Sequence, residues 1–208
     1  MSERDLEIAA IEKTVMQEIV KRQWIVEAKI DKIVKELPQG FVDLGGERFI
    51  FKKIIAGNVG ILIPDEFDLM EQGVKDEKYP YINQADYIFS DVTTTQNISL
   101  MPLEAAVSDE EFPQLVSGIF SAIRKVNPHF KIISEEISTP DNSLPLISYF
   151  DVLIPTLDEE IYTFMGIASL EFEVFLLTIT CPKEEYELWR PLCIGILKTL
   201  TLEREDEA

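Results

Sequence analysis

The chain has 208 residues, 38 of them acidic and 19 basic, for a formal net charge of -19 and a pI near 4.4. A field of that sign repels phosphate backbones and argues against nucleic acid as a partner. No apolar run reaches the ~18–20 residues of a membrane span, and the acidic start MSERDLEIAAIEKTV does not resemble a secretory leader, so a cytoplasmic protein is expected.

Residues 4–37 contain neither Gly nor Pro. Their apolar positions, Ile8, Ile11, Val15, Ile19, Val26, Ile30, Ile33 and Leu37, fall mostly three, four or seven apart. That spacing predicts one long amphipathic helix, roughly 50 Å at ~1.5 Å per residue, ended by Pro38 and Gly40. Its charge also sets it apart. Residues 1–37 carry 8 acidic and 7 basic side chains, whereas residues 38–208 carry 30 and 12. The expected organisation is therefore a helical appendage over 1–38, a domain over 39–202 and an acidic tail over 203–208. Trp24 lies beside the apolar stripe, and tryptophan favours interface centres. The candidate partner-binding residues are Ile19, Trp24, Val26, Ile30 and Ile33. The helix has three uses open to it: folding back on its own domain, pairing two copies, or docking a partner.

After Gly40 the period becomes strand-like. Short β-rich runs at 41–44, 48–55 and 59–63 are separated by Gly45-Gly46 and Gly57-Asn58, which predict hairpin turns. Residues 63–84 read as a loop with weak helical content. Strands are expected at 87–92 and 97–101. Ser108-Asp-Glu-Glu is a capping-box pattern, with Ser108 as N-cap and Glu111 three residues on. It opens a helix whose face is Phe112, Leu115, Val116, Ile119, Phe120 and Ile123, stopped by Asn127-Pro128. Four longer strands follow, at 130–138, 145–155, 160–169 and 172–180. The last element, from Pro182, is a helix with the stripe Trp189, Leu192, Cys193, Ile196, Leu197 and Leu200. Consecutive strands without crossover helices imply an antiparallel sheet and an α+β class.

Candidate chemistry is sparse. The one histidine, His129, sits in an Asn-Pro-His-Phe turn, and spacing identifies neither the acid nor the nucleophile a general base needs. Cys181 and Cys193 stand 12 apart among apolar residues, too few for structural zinc, and read as small buried hydrophobes. The acidic cluster at 65–68 lacks the glycine and spacing of an EF-hand loop. No phosphate-loop, dinucleotide or nucleophile-elbow motif occurs. No cofactor or metal is expected.

From Gly40 onward the order of elements resembles PsbP-like domains. The resemblance rests on the strand ending in ILIPDEFDLM, the helix ending in VNPHFKI with its following meander, and the close Thr180-Cys181-Pro182 through ILKTL. The same pattern is similar to the bacterial DcrB-like families, which include chaperones of type VI secretion effectors, and to a Ran-GTPase-binding relative. The resemblance implies a central antiparallel sheet sandwiched by helices and a non-enzymatic role. The long first helix is not part of the shared pattern. The expected function is a non-catalytic adaptor or chaperone that binds a segment of a partner protein, with homodimerisation through the first helix as a further expectation. The alternative is an acidic immunity-like or GTPase-regulator-like protein capping a basic surface, and an enzyme of unknown class comes third.

Overall fold

The computed structural model describes residues 26–80, 84–138, 145–157 and 159–203. Ile19, Trp24 and tail residues 204–208 lie outside them. Helix α1 is described over 26–36, followed by a 3-10 turn at Leu37–Gln39 that ends on Gly40 in the left-handed region, at φ 83°.

Two antiparallel sheets follow. The smaller has the order β1 (Phe41–Leu44), β2 (Glu47–Ala56), β3 (Val59–Pro64) and β11 (Thr201–Leu202), so the last described strand closes the first sheet. Its hairpins turn at Gly45-Gly46 and at Gly57, as the sequence predicts. The larger sheet has seven strands in the order β4 (Asp68–Leu69), β5 (Tyr87–Ser90), β6 (Asn97–Ala106), β10 (Glu173–Pro182), β9 (Glu160–Leu170), β8 (Leu146–Pro155) and β7 (Lys131–Glu136). Helix α2 (Gln72–Lys78) sits in the loop between β4 and β5, α3 (Phe112–Val126) joins β6 to β7, and α4 (Tyr186–Lys198) follows β10.

Alternation along the strands sorts side chains into two cores. On β8, Phe150 and Val152 face α3 and pack with Phe112, Val116 and Phe120. Tyr149 belongs to the larger core on the opposite face, with Tyr162 and Phe164 of β9 and Leu177 and Ile179 of β10. That core also takes Ile61 and Ile63 of β3 and Leu192, Cys193, Ile196 and Leu197 of α4. The result is α+β, a central antiparallel sheet between helical layers, as expected.

Three local expectations need correction. The expected appendage 1–38 is not separate over its described residues, 26–38. Ile30, Ile33 and Leu37 are buried in the larger core, because α1 lies on α4 where Gly195 has no side chain; a β-carbon there would stand 2.3 Å from Cγ2 of Ile33. Phe172 does not open β10. It forms, with Glu171, a two-residue turn at φ 74° and φ 50°, left-handed values that non-glycine residues seldom adopt. β10 is the fourth of seven strands. The capping box is half formed: Glu111 accepts from the Ser108 N–H at 3.2 Å, but the Ser108 hydroxyl donates back to the same carboxylate at 2.9 Å, and α3 begins at Phe112.

Candidate functional site

Position 151 is an inward-facing site on β8 that alternation assigns to an apolar residue, yet an aspartate occupies it with no exposed surface. A bare buried carboxylate costs several kcal/mol, so it requires partners. It has three. Ser134 of β7 donates its hydroxyl to Oδ1, the Tyr162 hydroxyl donates to Oδ2 at 3.2 Å, and Nε of Arg190 donates to Oδ2 at 2.8 Å. Nη2 of Arg190 also donates to Ser134 Oγ at 2.8 Å, closing a ring of three side chains from β7, β8 and α4, to which Tyr162 of β9 is attached through Asp151. The bulge between Ile132 and Ser134 changes the register of β7 against β8 just before Ser134 and its partner Asp151.

The network sets the protonation of its neighbours. Burial opposes the charge of Arg190, and the adjacent Asp151 charge overcomes it, so the guanidinium stays charged. Burial, then the hydrogen bond to Glu136 at 2.7 Å, pushes the Tyr149 phenol well above its usual range. Burial does the same to Tyr162, Cys181 and Cys193. These groups are neutral at physiological pH and poorly placed to act as nucleophiles.

Arg190 is also the point where the network meets solvent. Its side chain is 20% exposed, and two clefts share it. The larger, about 680 Å³, runs between α1, β7–β8 and α4, with Val26, Ile30 and Ile194 as apolar wall and Glu27, Asp31 and Lys198 charged. The second, about 560 Å³, has Lys29, Ile133, Tyr186 and Pro191 in its lining. A guanidinium carries five N–H donors, and the network uses two of them. The others have no partner among the described residues.

Of the five sequence candidates, Val26 lines both clefts, Ile30 is 8% exposed at the edge of one, and Ile33 is wholly buried against α4. Ile19 and Trp24 lie outside the described residues. His129 is exposed in the turn after α3, and both cysteines are buried and free. Among the described residues no cluster of His, Cys, Asp and Glu has the form of a metal site. Arg190 and Asp151 were missed by sequence reasoning. The detectable signal was Asp151 within the apolar run ISYFDVLIP.

This arrangement defines a class: a PsbP-like α+β scaffold, whose sheet carries a satisfied ionic cluster under a cleft. The fold is seen in cyanobacterial PsbP from Synechocystis sp. PCC 6803, which superposes with a TM-score of 0.56 at 10% identity, over 73% of this chain and 92% of that one. Two of the further matches, with lower scores, are as follows. One is LpqN of Mycobacterium tuberculosis, described as involved in cell envelope biogenesis (TM-score 0.46, 12% identity, 74% of this chain and 91% of that one). The other is PA94 of Pseudomonas aeruginosa, described as a putative regulator (0.40, 14%, 74% and 98%). No protein-family model matches the chain, and no curated protein does. The likeness therefore fixes the fold. The DcrB-like and Ran-binding kinship remains an expectation from the sequence.

Proposed function

We propose that this chain is a non-catalytic interaction module, an adaptor or chaperone that holds a segment of a partner protein in the cleft between α1, β7–β8 and α4. The observation that carries the reading is Arg190. It is anchored from below by Asp151 and Ser134 and presents unused donors to a cleft with an apolar wall and a charged rim. A rigid, pre-paired guanidinium suits recognition of a carboxylate or backbone carbonyl, because little side-chain entropy is lost on binding. The apolar stripe of α1 acts partly within the chain, since Ile30 and Ile33 pack on its own core. The docking surface is instead the cleft that α1 borders. A cytoplasmic location accords with this reading, and no described helix is long and apolar enough to cross a membrane.

The test uses exposed rim residues whose change leaves the core alone. Wild-type protein and the Glu27→Lys/Asp31→Lys variant are used as baits in cells of the source organism, with captured proteins quantified by mass spectrometry. The reading expects at least one protein recovered by the wild type and reduced about tenfold or more by the variant. An unchanged set of captured proteins would overturn it.

A further inference from the structure

A different side of α4 borders a smaller cavity, about 270 Å³, that is unrelated to the Arg190 cleft. Phe49 and Phe51 of β2 and Trp189 of α4 line it, together with Glu66, Gln96 and Glu185. Trp189 is fixed by its ring contact with Phe67, 5.9 Å between centroids, and by donating its indole N–H to Oε2 of Glu185 at 3.3 Å. The Gln96 amide donates to the same oxygen. Oε1 of Glu185 has no partner among the described residues, and neither carboxylate of Glu66 nor of Glu185 is paired with a Lys or Arg among them. No Lys or Arg lines the cavity.

Three aromatic residues and two carboxylates with no Lys or Arg partner among the described residues select one ligand chemistry. Aromatic faces are electronegative and attract cations, most strongly when water is excluded. An anion would meet two like charges. A neutral apolar group would desolvate the free carboxylate oxygen without replacing its hydrogen bonds. A metal ion is disfavoured, because among the described residues no group of three or more His, Cys, Asp and Glu is placed to hold one. The volume falls below the ~300–1,000 Å³ of pockets that enclose whole small molecules, so it suits a single head group. The surrounding charge of -19 adds long-range attraction for a cation.

We propose that this cavity binds an alkylammonium head group, with Phe49, Phe51 and Trp189 as its aromatic walls and Glu185 and Glu66 as its counter-charge. The proposal is independent of the partner-binding cleft. It is tested by fluorescence titration of the Trp24→Phe protein, which leaves Trp189 as the sole indole. The probes are choline, its neutral isostere 3,3-dimethyl-1-butanol, and Nα-acetyl-Nε-trimethyllysine amide. Saturable quenching by choline or the trimethyllysine compound, at least tenfold tighter than any response to the isostere, is expected. Response to both marks the head group alone as the determinant. Response to the lysine compound only assigns the source to a protein chain, and response to choline only assigns it to a free small molecule. Glu185→Gln should weaken the binding about five- to tenfold, and Phe49→Leu, which keeps apolar volume without the ring, about threefold or more. Near-ultraviolet circular dichroism confirms that each variant is folded. Equal affinity for the isostere, no saturable response to either ammonium probe, or unchanged binding in folded Glu185→Gln overturns the proposal.

Discussion

Nε of Arg190 lies 2.8 Å from Oδ2 of Asp151, joining the middle of α4 to the interior of a seven-stranded sheet. The pair is asymmetric in exposure, since Asp151 is wholly buried and Arg190 reaches a cleft. Removing the aspartate leaves the half-buried Arg190 guanidinium and the buried Tyr162 hydroxyl without their acceptor. Asp151→Ala should therefore destabilise the protein by about 3–5 kcal/mol in urea unfolding. The double change Asp151→Leu/Arg190→Met removes both charges and should recover most of that loss. A double variant no more stable than the single one would mean that the sheet and not the ion pair depends on position 151.

Gly195 and Ile33 set the spacing between α4 and α1. A β-carbon at 195 would lie 2.3 Å from Cγ2 of Ile33, a β-branched side chain with little freedom to turn away. Gly→Ala within a helix ordinarily gains about 1 kcal/mol. Here the clash should reverse the sign, so that Gly195→Ala gives a net loss of about 1–2 kcal/mol by chemical denaturation. Adding Ile33→Val to the Gly195→Ala variant should restore less than half of it, because both branched residues keep a γ-carbon near the helix.

Glu160 bridges Lys131 of β7 and Lys183 after β10. Hydrogen bonds from Lys131 first and Lys183 second lower its carboxyl from the usual range to about 2. A carboxyl with a depressed folded-state pKa contributes stability above its ordinary value near 4.5, and that contribution is lost as pH falls toward 2. Glu160→Gln should therefore be less stable than wild type at neutral pH and show a shallower loss between pH 4.5 and 2. Parallel wild-type and variant curves of thermal midpoint against pH across that window would contradict the assignment.

Trp189 is 5% exposed and packs against Phe67 in the larger core. Trp189→Ala should cost about 3–5 kcal/mol in equilibrium unfolding. A loss below about 1 kcal/mol would show that the core tolerates its absence.

The strands, turns and helix faces were legible because each follows from a short-range pattern. Gly45-Gly46 and Gly57 turn as expected, and the stripe from Trp189 to Leu200 is buried throughout its apolar positions. The sequence alone did not reveal the pairing of β11 with β3, because a two-residue strand has no periodicity to detect. Nor did it disclose the Asp151–Arg190 contact, which joins residues 39 apart through a tertiary approach. The stripe of α1 illustrates the same limit. Ile30 and Ile33 were correctly read as one apolar face, but a stripe does not specify what covers it, and here the chain's own α4 does.

The most direct test of the central claim is backbone hydrogen exchange of this protein, alone and with the partner recovered by the rim-sensitive capture. If the cleft is the docking site, slowed exchange should concentrate in α1, in β7 around Ser134–Glu136, and in α4 around Arg190–Lys198. Slowing confined to α3 and the opposite face of the sheet, with these segments unchanged, would contradict the account.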